Sequence, residues 1–273
     1  VWKNTMIKNI KGTKDLLPDI TYNIKDIENH ICRFMYLHGY GEIRTPIFES
    51  TELFTRSVGE DTDIVNKEMY TWEDQNGQSL TLRPEMTASV VRAYIQKQLW
   101  KSEPISKFYY MGPSFRRERP QKGRLRQFHQ FGVEAIGSIN PEQDAEVISI
   151  AYNIYQMFGI KELSIKINTL GSNNVREKYV SDLKKSLSKF KSIFNENEYI
   201  RLEKNPLRIL DSKNKDIKEL TRKHAPNIID YISDDDRQHF MKVLNILDAM
   251  EIPYLHDNHL VRGLDYYNRT VFE

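Results

Sequence analysis

The sequence predicts an α+β fold with a helical subdomain inserted into it. Three observations carry this. Helix-period and strand-period segments follow one another in mixed order, not in regular βα repeats. Two β-rich stretches, 106–118 and 124–137, flank a turn-like PQKG at 120–123, as antiparallel neighbours do. Between 172 and 250 the composition shifts to Lys, Asp, Glu and Asn, with helical segments near 175–191 and 235–250 around a more irregular middle.

Taken in order, residues 20–38 space Ile20, Ile24, Ile27, Ile31 and Phe34 as one helix face, with Gly39 as the C′ residue. RTPIFEST (44–51) holds Pro46 among β-prone residues and predicts an edge or interface strand. SLTLRPEMTASVVRAYIQKQL (79–99) reads as a short strand, then a helix opening at Pro84. Asn140 and Pro141, with acidic residues behind them and Gly159 at the far end, delimit a helix to Phe158. KELSIKINT (161–169) alternates Leu163, Ile165 and Ile167 with polar residues, a half-buried strand. IPYLHD and HLVRGLDYYNRTVFE then return to extended, turn-rich chain.

The chain has 273 residues, 39% hydrophobic and 29% charged, enough for a sizeable core in one or two domains. A formal net charge of +2 excludes nucleic-acid binding through overall charge but leaves a local patch open. Cys32 is the single cysteine, so no disulfide can form within the chain; a buried, inert thiol in a reducing cytoplasm is expected. No apolar run reaches membrane-spanning length, the N-terminus lacks the apolar core of a signal peptide, and Met6 is a candidate natural start.

The local patch is FRRERPQKGRLRQFHQF (115–131), with Arg116, Arg117, Arg119, Lys122, Arg124 and Arg126 close together. Residues of one parity share a strand face. One face of the second strand carries Arg124, Arg126, Phe128, Gln130, Gly132 and Glu134; Ser114, Arg116 and Glu118 share a face of the first. Aligned, they make a wall of Arg, Glu and Gln around a bare glycine, which leaves room for something to lie on the sheet. A solvated sheet face with cross-strand ion pairs is the alternative that pattern alone leaves open. His129 belongs to the apolar-patterned face and is read as structural.

GPSFRRERPQKGRLRQFHQFGVEAIG resembles motif 2 of class II aminoacyl-tRNA synthetases, in the form found in the histidyl-tRNA synthetase family. KGTKDLLP (11–18), RTPIFE (44–49, motif 1), TLRPEMTA (81–88), NPLRILDSK (205–213) and LVRGLDYYNRTVFE (260–273) resemble the same family in the same order. The resemblance implies the class II catalytic fold, an antiparallel sheet flanked by helices, and a two-step reaction. Histidine is activated with ATP to histidyl-adenylate, then transferred to the 3′ end of histidine tRNA. No protein nucleophile is required; fixed cations must face the developing charge on phosphate.

The resemblance implies Arg116 and Arg262 as catalytic, Arg116 on the α-phosphate side and Arg262 opposite it, stabilising the transition state. Arginine suits this because its fork keeps its charge and grips oxygens bidentately. Glu118 corresponds to the residue that approaches the adenine amino group, and Arg124 to a further ATP contact. Histidine binding falls to Glu85, Met86, Thr87, Gln130, Glu134, Arg262, Tyr266 and Tyr267. Within that set Glu85, Thr87 and Gln130 receive the ammonium, and Glu134 receives an imidazole N–H. Gln121 and Arg126 correspond to tRNA contacts. Lysines in 175–223 interleave with acids and read as a solvated helix face. ATP arrives with Mg²⁺, which prefers phosphate oxygens over a protein cage; no resident metal or tightly bound prosthetic group is expected.

Implied partners are L-histidine, ATP, histidine tRNA and a second copy paired through motif 1, without membrane. The expected organisation is a catalytic core at 1–171, a helical insertion at 172–250, and a return to the core at 251–273. Met86 stands where many family members have glycine. Motif 3 and an anticodon-binding domain lie outside these residues, so a longer chain is expected. Two other readings compete: the noncatalytic paralogue, a regulatory subunit of ATP phosphoribosyltransferase, and an RNA-binding module without catalysis. The latter has no use for Glu85 and Glu134.

Overall fold

The structure, a computed structural model, describes residues 6–59, 62, 64–262 and 267–273. Contacts divide the chain into two compact units, Val1–Ser138 and Ile139–Glu273. The expected boundary at 171/172 therefore falls inside the second unit.

In the first unit, α1 (Pro18–Leu37) opens with proline at its first turn and ends before Gly39, whose φ of 74° favours glycine. Its apolar stripe is only partly covered: Ile31 and Met35 are buried, whereas Ile20 and Ile27 are each 43% exposed. Cys32 is half-buried instead of buried, because it flanks that stripe. Strand β1 (Gly41–Glu42) follows, then β2 (Phe48–Ser50), α2 (Thr51–Val58), β3 (Tyr70–Glu73) and β4 (Ser79–Leu82). The order β2-β4-β3 is antiparallel and puts β2 at an edge, as Pro46 just outside it suggested. Helix α3 (Thr87–Gln96) opens at Thr87 and not at Pro84.

Strands β5 (Ser106–Phe115) and β6 (Gln127–Ile136) form the long antiparallel pair, in register from Ser106↔Ile136 to Phe115↔Gln127. Short β1 adds to β5 in parallel. Arg116, Glu118, Arg124 and Arg126 all lie beyond the ladder's last pair, in the connection.

In the second unit, α4 (Pro141–Met157) leads to β7 (Ile165–Thr169). Helices α5 (Asn173–Leu187), α6 (Glu196–Lys204), α7 (Leu207–Leu210), α8 (Lys215–His224) and α9 (Asp234–Ala249) follow, then β8 (Tyr254–His256) and β9 (Thr270–Phe272). The middle of 172–250 is not irregular; it is a set of short helices with strong caps. Asn195 and Glu198 close a capping box, Asn214 accepts from the Asp216 N–H, and Ser233 from that of Asp236.

Tyr179, Leu183 and Leu187 of α5 pack with Leu202, Ile209 and Ile217 in one core. Helix α9 joins another: Phe240, Val243 and Leu247 pack on Ala145 and Ile148 of α4 and Ile165 and Ile167 of β7. β7 is the centre of β8-β7-β9, parallel to β8 and antiparallel to β9. The strand content of the described residues is thus three three-stranded sheets, mostly antiparallel, flanked by helices.

Candidate active site

The register of β5 and β6 sets which side chains meet. Phe108, Tyr110, Gly112 and Ser114 pair with Glu134, Gly132, Gln130 and Phe128, and share one face. Helix α3 is packed there: Met86 and Val90 form a small core with Tyr110, Ile43 and Phe108. Met86 is 2% exposed, so its side chain is committed to that core.

Gly132 does not leave open space. The ring of Tyr110 crosses it, and a Cβ at 132 would stand 2.3 Å from the hydroxyl. That approach carries the hydroxyl to Glu134, donating to Oε1 at 3.1 Å. Thr87 Oγ1 donates to the same oxygen at 2.7 Å. Burial pushes the Glu134 carboxyl above the ordinary carboxylate range; the Thr87 and Tyr110 hydroxyls oppose the rise, and the Glu85 carboxylate adds to it. The Tyr110 phenol is itself driven up, by burial and by Glu134, so it remains a donor.

Glu85 is 6% exposed. Its two oxygens accept the first free backbone N–H groups of α3, from Thr87 at 2.7 Å and Ala88 at 3.0 Å. Those bonds explain why the helix opens at Thr87. Burial raises the Glu85 pKa, against the pull of those N–H groups, the Thr87 hydroxyl and Arg116. Gln130 supplies a third polar group on this face, and its Oε1 is buried with no hydrogen-bond donor among the described residues. A buried acceptor without a partner is costly and points to a missing donor.

Arg116 stands at the end of this face. Its Nε donates to the Pro84 carbonyl at 3.0 Å and its guanidinium lies 5.4 Å from the Phe128 ring centre; among the described residues neither contact occupies its two terminal nitrogens. Glu118 pairs with Arg124 at 3.0 Å. Gln121 and Arg124 close the connecting turn through backbone bonds of 3.2 and 2.9 Å, with exposed side chains. Arg126 is engaged elsewhere: its N–H donates to the Gly12 carbonyl at 2.7 Å and its stem fills the space a Cβ at Gly12 would take. His129 lies on the opposite face and is exposed there, although its strand parity groups it with apolar residues.

Arg83 escaped the sequence reading. It is 4% exposed and donates to the Pro113 carbonyl at 2.9 Å and the Thr45 carbonyl at 3.0 Å. It thereby ties the RTPIFE segment to β5 beside Gly112, where a Cβ would stand 2.7 Å from its Nη2. Tyr110 was missed as well, hidden in the apolar run KFYYM.

In the second unit, Arg262 is one-third exposed and faces Glu273 at 3.5 Å. With Tyr267 it lines a cavity of about 380 Å³ whose wall includes Tyr152, Tyr155 and Phe272. Tyr266 lies outside the described residues. Further along the segment, Arg269 donates to Asp236 Oδ1 at 3.0 Å and to His239 Nδ1 at 3.3 Å; His239 Nε2 meets Asp144 at 2.9 Å.

A profile of histidyl-tRNA synthetase matches residues 12–273. The chain is 48% identical over 267 residues to the histidine–tRNA ligase of Halothermothrix orenii, covering 98% of this chain and 64% of the relative. It is 49% identical over 270 residues to that of Staphylococcus epidermidis, covering 98% and 63%. It thus spans less than two thirds of the length of these relatives. The apo histidyl-tRNA synthetase of S. aureus matches in structure with a TM-score of 0.77 at 41% identity, over 98% of this chain and 61% of that one. A protein described as an ATP phosphoribosyltransferase regulatory subunit/histidyl-tRNA synthetase, from Bacillus halodurans, shares the fold at a TM-score of 0.68 and 22% identity, over 99% and 73%. The fold is that of the class II aminoacyl-tRNA synthetases. Within that class, the chain belongs to the histidyl-tRNA synthetase family.

Proposed function

We propose that this chain is the amino-acid-activating part of a histidine–tRNA ligase. The observation that carries the reading is the buried polar group on one sheet face: Glu85, Thr87, Gln130 and Glu134, with no described residue donating to Gln130 Oε1. An α-ammonium brings three N–H donors, and Glu85, Thr87 Oγ1 and Gln130 Oε1 offer three acceptors. Glu134 then accepts an N–H of the imidazole. Sites that hydrogen-bond a polar side chain reject analogues lacking it by about 10⁴–10⁵.

In the first step a histidine carboxylate oxygen attacks the α-phosphorus of ATP and pyrophosphate leaves with magnesium bound to its oxygens. Arg116 neutralises charge on the α-phosphate with the terminal nitrogens of its guanidinium; the family resemblance assigns Arg262 to the transition state and Tyr266 and Tyr267 to the imidazole. Glu118 and Arg124 serve the nucleotide. In the second step the terminal ribose hydroxyl of histidine tRNA attacks the activated carbonyl and AMP leaves, with Gln121 and Arg126 at the tRNA end. A homodimer paired through motif 1 is part of this reading, supported by the exposed Phe48 and Trp72 rings, 6.0 Å apart, and by Ile20 and Ile27. So is a cytoplasmic location. The core at 1–171 and 251–273, with an insertion at 172–250, remains the proposed functional division.

Titration calorimetry with L-histidine, with phenylalanine and glutamine as controls, tests the pocket. Selective binding of histidine is expected. Absence of binding, in a chain that also fails ATP–pyrophosphate exchange when its full-length form is assayed, would favour the regulatory paralogue.

A further inference from the structure

We propose that Tyr110 is a specificity-determining residue of this pocket: it holds one oxygen of Glu134 so that the other is the acceptor that selects a single imidazole N–H. The inference rests on the histidine reading and refines it.

Oε1 of Glu134 takes both hydroxyl donors, Thr87 at 2.7 Å and Tyr110 at 3.1 Å, and no described residue donates to Oε2. Two fixed donors on one oxygen fix the plane of the carboxylate, and with it the direction of the lone pairs left on Oε2. The Tyr110 hydroxyl reaches that position only because its cross-strand partner is glycine. Backbone register and ring position thus aim the carboxylate before any ligand arrives.

Charge state matters equally. Glu134 must be ionised to accept from the imidazole; protonated, it would donate. The titratable groups facing it are Glu85, just ahead of α3, and Tyr110 on β5, with the Thr87 hydroxyl between them. Burial and Glu85 favour the protonated form, while the two hydroxyls favour the ionised one. Removing the Tyr110 hydroxyl therefore loosens the aim and makes the proton harder to remove.

The test is calorimetric titration of Tyr110→Phe beside wild type from about pH 6 to about pH 9, with thermal melts. L-Histidine and its two ring-N-methylated forms are the ligands. The variant should fold, lose about tenfold in histidine affinity near neutrality, and recover part of it as pH rises. Its discrimination between the two methylhistidines should narrow, because the carboxylate no longer faces one nitrogen. Unchanged affinity and discrimination in a folded variant would overturn the proposal while leaving the histidine reading intact. A wild-type protein that ignores L-histidine would remove both. If Tyr110→Phe melts early, Thr87→Val removes the companion donor; because Thr87 also receives the ammonium, the readout is discrimination between the two methylhistidines: narrowed discrimination supports the proposal, and unchanged discrimination overturns it.

Discussion

The phenol ring of Tyr110 lies across Gly132, its partner on the neighbouring strand, so closely that any Cβ at 132 would collide with the hydroxyl. Gly132→Ala must therefore push the ring aside and break its bond to Glu134. A cost of about 1–3 kcal/mol in stability is expected from overpacking. L-Histidine affinity should fall by about tenfold or more. Melts and titrations on the same sample check both, and wild-type affinity in this variant would detach Tyr110 from the pocket.

Glu134→Gln probes the buried carboxylates through pH. Glu134 and Glu85 both have raised pKa values. A raised carboxylate pKa contributes stability below its unfolded value, and that contribution is lost as pH rises through the folded value. The variant should therefore melt at or above wild type near about pH 8, and the difference should shrink as pH falls. Histidine affinity should drop all the same. Collapse of the melting temperature at every pH would move Glu134 from the pocket to the core.

Arg262→Ala should leave the fold intact, since the side chain is one-third exposed and its contact with Glu273 is long. ATP–pyrophosphate exchange in the full-length protein should fall by about 10²–10³, with a much smaller loss of histidine affinity, since the resemblance also places Arg262 among the histidine contacts. A loss of histidine binding as large as the loss of exchange would reassign this arginine to binding alone.

Asp236 is 2% exposed and receives the Ser172 N–H at 3.0 Å beside Arg269. Burial works against its ionisation, but Ser172, Ser233 and Arg269 outweigh it and lower its pKa. Asp236→Ala should cost about 2–3 kcal/mol, less than a fully buried pair because Arg269 reaches solvent. A lowered pKa means the contribution is present above the unfolded value and lost as pH falls through the folded one. Urea denaturation should show the gap between wild type and variant closing in acid.

Strand parity made much of the site legible: Gln130, Gly132 and Glu134 share a face because the period of a strand is two, whatever the rest of the molecule does. The mixed order of elements likewise made the α+β class legible. Most of what failed was non-local. Arg83 is an arginine in the core, and nothing near it in sequence reveals the carbonyls of Thr45 and Pro113 that hold it there. Nothing near Tyr110 in the sequence shows that its cross-strand partner is Gly132. Pro84 suggested a helix start, but the Glu85 side chain claims the first N–H groups from Thr87 onward. The capped helices of 195–224 were readable in principle, from Asn195 and Glu198 at capping-box spacing.

The double duty of Glu85 limits how this pocket can be remodelled. The carboxylate proposed to meet the ligand is also the one that starts helix α3, so mutations there mix altered recognition with a frayed helix. Gln130 and Glu134 carry no such burden, because the backbone bonds of their strand hold them whatever side chain they bear. A library meant to accept a different amino acid should therefore vary the strand positions and leave the helix cap alone.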